Sequence, residues 1–245
     1  MALLPNFVIV GAMRGGSSAL ARALSRHPDV FVAPGKEMHY FNRHFERGID
    51  WYQSRLSGGE AAVARGDATP LYMYDQLARR RMIETLPDAR FLAIIRDPVD
   101  RAYSHYWHNR RRERESRTFE EAVKSKPSEQ VLDYLGLSRY AEHLKDLESA
   151  APGRLLVLIN EDLRHRRAET LHRAWAFIGV DPGLGSVEPP APRRSLMARI
   201  RQRRRAPKDY PPLAPSTRAG LAKQFTAEVD ALEAWLDRDL SAWRA

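Results

Sequence analysis

Short apolar runs alternate along the chain with longer stretches of helical period. FVIV at 7–10 reads as a buried strand, and after Gly11 comes a helix-like run from Ser17 to Arg26. DVFV at 29–32 is a second short strand, FLAIIR at 91–96 a third and LLVLIN at 155–160 a fourth. A polar helix begins near Pro98, a residue suited to a first helical turn. Another covers 168–178, where Gly179 would end it. Leu221, Phe225, Val229, Leu232 and Leu236 recur at helical spacing and predict one amphipathic helix, placed at 216–240 with its tail. Short strands alternating with helices predict an α/β fold: a parallel sheet flanked by helices, one domain over 1–245. Segment 183–215 breaks the pattern. Its prolines and the runs RRS (193–195) and RIRQRRR (199–205) predict an irregular, basic excursion.

The chemistry concentrates where the first strand meets its helix, in GAMRGGSSAL (11–20). Gly11, Gly15 and Gly16 let the backbone turn tightly and bring N–H groups near a ligand. Ser17 and Ser18 stand at a helix start, where free N–H groups and the positive dipole end attract oxyanions. Gly11 and Gly16 have the spacing of a Walker A loop, so the sheet is P-loop-like, yet position 17 is serine where that loop carries lysine. The cation has moved inside the loop, to Arg14. The predicted strands end without a metal-binding aspartate, since FLAII runs into Arg96. The expected ligand is therefore a phosphate group that needs no metal. A second anion site follows the third strand in IIRDPVDRAYSHYW (94–107). Arg96 stands at its carboxyl end, Ser104 two helical turns on, and Arg101 shares that helix. Two such sites on one sheet suit a nucleotide with two separated phosphates.

Composition fits an anionic ligand. Net charge is +9, and 34 of the 40 cations are arginine, a fork-shaped donor for phosphate and sulfate oxygens. The chain has no cysteine, which excludes disulfides, thiol catalysis and cysteine-held metal. Its apolar runs fall short of the roughly 20 residues of a membrane span, and MALLPNFVIV lacks a basic start and a cleavage site. The cytoplasm is the expected compartment.

Taken in order, GAMRGGSSAL, KEMHYF (36–41), GDATPLYMY (66–74), IIRDPVDRAYSHY, LSRYAEHL (137–144), LLVLINEDL (155–163) and DLSAW (239–243) resemble the sulfotransferases that use 3′-phosphoadenosine 5′-phosphosulfate (PAPS). The heparan-sulfate-type and bacterial small-molecule branches are the most similar. The resemblance implies sulfuryl transfer to a hydroxyl or amine of a small-molecule or saccharide acceptor, with release of 3′-phosphoadenosine 5′-phosphate (PAP). It implies that Arg14 neutralises the bridging oxygen, that Gly15, Gly16, Ser17 and Ser18 cradle the 5′-phosphosulfate, and that Arg96 and Ser104 bind the 3′-phosphate. It implies Glu37 as the base, His39 lining the same cleft, and Tyr140 near the nucleotide. The basic excursion becomes a flap, with Arg193, Arg194 or Ser195 near the 3′-phosphate.

Three departures stand out. Arg14 replaces the usual lysine, so it acts by charge and hydrogen bonding rather than proton donation. Asp67-Ala68-Thr69-Pro70 replaces a Glu-Lys-Ser/Thr-Pro segment, which tells against a heparan-type acceptor. The C-terminal disulfide of secretory relatives cannot form. Glu37 and His39, two apart, would point the same way on an extended segment, and the residues alone leave open which is the base. His105 and His108 lie one turn apart but lack a third ligand in sequence, so no metal is expected. RIRQRRR lacks the interleaved aromatics of a nucleic-acid binder. A P-loop-like nucleotide kinase and a non-catalytic nucleotide-binding module are the competing readings.

Overall fold

The computed structural model describes residues 3–34, 37–188 and 210–245. The elements run β1 (Phe7–Gly11), α1 (Ser17–Leu24), β2 (Val30–Val32), α2 (Tyr40–Arg43), α3 (Gly48–Ser54), β3 (Ala64–Ala68), α4 (Gln76–Thr85), β4 (Arg90–Ile95), α5 (Pro98–Arg110), α6 (Phe119–Lys124), α7 (Ala141–Ala150), β5 (Leu155–Ile159), α8 (Asn160–His165), α9 (Arg167–Ile178), α10 (Pro215–Gln224) and α11 (Thr226–Leu236). The five strands form one sheet in the order β2-β3-β1-β4-β5, and every pairing is parallel. Among the described residues no helix is long and apolar enough to cross a membrane.

Helices cover both faces, which is why β1 and β4 read as unbroken apolar runs. Val8, Val10, Phe91, Ala93 and Ile95 pack with Tyr52, Tyr72, Met82, Leu144 and Val229 on one face. Phe7, Ile9, Leu92 and Ile94 point the other way, onto Leu20 and Leu24 of α1 and Leu171 and Trp175 of α9. A smaller cluster joins Val99, Tyr103 and Tyr106 of α5 to Phe119, Leu221 and Phe225.

The chain's start and stop signals act as their chemistry requires. The Asp97 side chain accepts from Val99 N (2.7 Å) and Asp100 N (3.0 Å), and Pro98 takes the first turn of α5. Gly179 ends α9 at φ 86°, where a Cβ would be strained.

Two expectations need correction. The strand β3, ARGDA, was not among those predicted. It has no apolar run, because Gly66 lies under the Phe7 ring, in space a side chain would need. The single C-terminal helix is two, since the α-helix breaks at Phe225 between α10 and α11. The buried stripe of Leu221, Phe225, Val229 and Leu232 survives the break. The expected flap lies mostly at 189–209, outside the described residues.

Candidate active site

The sheet order places the site. The chain leaves β1 toward β2 and β3 on one side, then crosses to β4 on the other. The carboxyl ends of β1 and β4 therefore flank a topological switch point, where open α/β sheets collect ligands. A register shift between Ile9 and Gly11 turns the end of β1, and Ala12 N–H then bonds the Ile94 carbonyl (2.9 Å). The glycine loop thus starts beside β4.

Within the loop, Gly15 and Gly16 are sterically required. A Cβ on Gly15 would overlap the Ile94 carbonyl oxygen, and one on Gly16 would overlap the Asn160 amide. Gly16 also sits at φ 123°, a region that favours glycine, and caps α1 without a side chain. The first N–H groups of α1, at buried Ser17 and half-buried Ser18, have no partner within the helix. Asn160, first residue of α8, closes the loop from β5, and its Oδ1 is buried without a partner. The sequence pattern puts Asn160 at the end of the fourth predicted strand and points to no role for it.

The two segments expected to bind anions meet. Arg14 Nη2 donates to Ser104 Oγ at 3.2 Å, across 90 residues of sequence. Arg14 Nε and Arg96 Nε are both buried without a hydrogen-bond partner. Arg96 Nη2 holds Asp100 at 2.7 Å, and Arg218 in turn binds both Asp97 and Asp100. Asp97 and Asp100 are therefore already paired, while the half-buried Glu161 accepts from Asp97 N–H at 3.4 Å and keeps its buried Oε2 without a partner. Burial, then Arg111, then Arg96 and Arg101 hold the Arg14 pKa down, the signature of crowded cations. Two buried guanidinium N–H groups without acceptors, beside a cradle that admits no Cβ, fit a phosphate-bearing ligand.

Other predicted residues turn out to support this cluster. Arg101 is fully buried and donates to Ser138 Oγ (2.6 Å), to the Met13 carbonyl (3.3 Å) and to Tyr134 O, so it pins the loop from behind. Its Nη1 also donates to His105 Nδ1 (3.3 Å). Burial, reinforced by that arginine, pushes His105 down to about 2, so it is a neutral core histidine. Tyr140 is fully buried, and its hydroxyl donates to the Arg96 carbonyl at 3.2 Å. It shapes the backbone that carries Arg96 from behind. Arg193, Arg194 and Ser195 lie outside the described residues.

The segment expected to carry the base departs from its predicted conformation. Glu37 and His39 are not extended: their φ values are 71° and 53°. They still meet, with His39 Nε2 3.7 Å from Glu37 Oε2, because two left-handed residues fold the segment back. His39 Nδ1 pairs with Asn42 Oδ1 at 3.2 Å, a contact one helical turn along that the sequence reading missed. The segment is anchored on β3, through Glu37 N–H to Ala68 O (3.1 Å) and His39 N–H to Thr69 Oγ1 (3.5 Å). His108 on α5 is half-buried. Burial first, then Arg14, Arg112 and Arg111, push it down to about 4, and Glu37 opposes them. Arg14 and Glu37 thus act on His108 with opposite signs.

β3 also brings an aspartate to a strand end, contrary to expectation. Asp67 is fully buried, and its oxygens accept from Tyr52, Thr69 and Tyr72 hydroxyls at 3.0, 2.7 and 3.1 Å. Burial raises its pKa, and those hydroxyls and His39 oppose the rise. It is saturated from within and is not presented to a bound metal.

This geometry has counterparts among known proteins. A family model described as a sulfotransferase domain matches residues 4–198, so the chain belongs to the sulfotransferase family. It is similar to a sulfotransferase from Alicyclobacillus acidocaldarius, at 28% identity and a TM-score of 0.83, over 98% of this chain and 99% of that one. It is 30% identical to mouse heparan sulfate glucosamine 3-O-sulfotransferase 3B1 over 72% of this chain and 46% of that protein, so it spans less than half of that relative's length. A mouse sulfotransferase complexed with PAP shares the fold at 17% identity and a TM-score of 0.51, covering 72% of this chain and 58% of that one.

Proposed function

We propose that the protein moves the sulfuryl group of PAPS to a hydroxyl or amine acceptor by in-line displacement. The observation that carries this reading is the pair of orphaned, buried Arg14 and Arg96 Nε groups on either side of the loop–α5 junction. Family membership and the mouse structure complexed with PAP support the donor. PAPS would supply the activated sulfuryl group and a phosphate leaving group.

The residues present divide the remaining work. Arg14 and the α1 N–H groups stabilise charge on the departing phosphate. Arg96 and Ser104 hold the second phosphate, and Tyr140 steadies the Arg96 backbone. Glu37, with His39 beside it, takes the acceptor's proton. The acceptor belongs to small-molecule or saccharide chemistry, and the cysteine-free composition suits the cytoplasm as compartment. Ser17 in the place of a Walker A lysine, and Asp67 saturated by hydroxyls, weigh against the kinase alternative.

The test is thermal stability under ligand titration. PAP should raise the Tm by mass action in the presence of EDTA. Transfer of ³⁵S from labelled PAPS to a panel of alcohols, phenols, amines and saccharides then identifies the acceptor. Equal protection by Mg²⁺-ATP would instead support the kinase.

A further inference from the structure

The buried Asp67 is unexplained by ligand binding, yet three elements converge on it. Tyr52 comes from α3, Thr69 from the end of β3 and Tyr72 from the turn after it. Two of these hydroxyls have a second duty. Thr69 Oγ1 accepts from His39 N–H at 3.5 Å, and Tyr72 Oη accepts from Phe41 N–H at 3.4 Å. A hydroxyl has one proton, so it can accept from a backbone N–H in one direction only if its own proton points elsewhere. A carboxylate, with oxygens that only accept, draws both protons inward and leaves both lone pairs facing the segment 37–41.

We infer that Asp67 is a positioning residue for the proposed base: by fixing the Thr69 and Tyr72 hydroxyl orientations it holds the left-handed Glu37–His39 segment in place. The packing agrees. Tyr40 stacks on Tyr52 at 4.3 Å with an 8° interplanar angle, and Phe41 meets the edges of both Tyr52 and Tyr72. One network thus fastens the segment on its backbone and through its rings. Backbone at positive φ in non-glycine residues persists only where the surroundings over-determine it. This inference rests on the proposed function for its catalytic meaning, though the geometry it describes does not.

Asp67→Asn discriminates sharply because it keeps the volume. An amide has one accepting and one donating end. If NH₂ faces Thr69, the Thr69 proton loses its acceptor and must point elsewhere, and its oxygen must accept from the amide as well as from His39 N–H. If NH₂ faces Tyr72, the same conflict arises at Phe41 N–H. Either orientation weakens one of the two anchors.

The experiment is amide hydrogen exchange by NMR on the full chain, with Val8 and Ala93 as core-strand reporters and PAP titrations in parallel. In Asp67→Asn, His39 or Phe41 N–H should exchange about tenfold faster while the core reporters hold. Thr69→Val should loosen His39 alone, and Thr69→Ser should restore it. PAP affinity should stay within about twofold in each variant, since the anion cradle lies on β1 and β4. Unchanged exchange at both amides, or a rise shared equally with the core reporters, overturns the inference. If Asp67→Asn does not fold, the Thr69→Val and Thr69→Ser pair decides on the same criterion. Failure of wild-type protein to bind PAP would remove the sulfotransferase reading independently of any exchange result.

Discussion

Replacing Arg14 with alanine should separate catalysis from stability. In the ligand-free protein Arg14 makes one described side-chain hydrogen bond, to Ser104 Oγ, and its Nε has no partner. Its environment is desolvated and crowded by Arg111, Arg96 and Arg101, all of which disfavour the charge. Alanine keeps the Cβ at φ 65°, so backbone strain is unchanged. The lost hydrogen bond is worth about 0.5–1.5 kcal/mol, and relief of like-charge crowding acts against that loss. For a domain of this size 1 kcal/mol shifts Tm by about 2–4 °C, so the fall should not exceed about 6 °C and can vanish. Turnover should respond quite differently. Removing one preorganised donor from a developing oxyanion costs about 10²–10³ in kcat, or about 2.7–4 kcal/mol. Arg14→Lys should recover part of that, because it keeps the charge and loses the fork. The assays are scanning fluorimetry of the ligand-free protein and ³⁵S transfer at saturating PAPS. A kcat within threefold of wild type, or a Tm loss well beyond about 6 °C, would show that Arg14 is a structural residue and refute the reasoning.

Other substitutions probe the remaining parts. Arg96→Ala should weaken PAP binding about 10- to 150-fold by calorimetry with kcat nearly unchanged, because a 3′-phosphate carries the same charge in ground and transition states. Glu37→Gln should lower kcat by about 10²–10⁴ at unaltered PAP affinity, and near-normal turnover there with collapse in His39→Ala would transfer the role of base to the histidine. Gly16→Ala, at φ 123° and against Asn160, should cost about 1–3 kcal/mol of stability and most PAP affinity, read by urea melts and calorimetry. Hydrogen bonds from Arg117, assisted by Tyr134, hold the Glu115 carboxyl down at about 2, below its ordinary 4.5. Its stabilisation is therefore complete above pH 4.5 and fades as pH falls toward 2. Glu115→Gln should destabilise at pH 7 in urea melts, with the gap to wild type closing across that window.

What the sequence revealed follows the physics of each element. The strands β1, β4 and β5 carry apolar runs because both their faces are covered, so pattern alone finds them. The Arg96-Asp97-Pro98 sequence encodes a strand end, a cap and a first turn locally, and all three appear. β3 escaped because its burial depends on Phe7, which is distant in sequence and fills the space above Gly66. The same blindness hid Asp67, whose partners come from three separate segments. Glu37 and His39 sit at φ 71° and 53° against Ala68 and Thr69, which are distant in sequence, so local pattern predicts only an extended segment. Arg101 shows a further limit. Its spacing on α5 cannot tell an arginine facing a ligand from one that holds the Met13 carbonyl behind the loop.

The strand order gives the proposed reaction its direction. β1 lies in the middle of the sheet, with β4 on one side and β3 on the other. The cation cluster is built on β1 and β4, where Asp97 and Asp100 are already paired with Arg96 and Arg218 and, among the described residues, Arg14 has no ion-pair partner. The segment bearing Glu37 and His39 is built on β3, held by its carbonyls and hydroxyls. In-line transfer needs the leaving group and the attacking group on opposite sides of the moving group. On the proposed reading, a donor seated on the β4 side presents its leaving phosphate to Arg14, and an acceptor deprotonated on the β3 side approaches from the other edge of β1. Moving either group to the opposite edge would put the excess positive charge and the proton acceptor on the same side. That arrangement would stabilise the departing phosphate while drawing the base into a salt bridge with Arg14, which lowers its basicity. On that reading, separation across β1 lets one site hold a cation cluster and a proton-accepting carboxylate together.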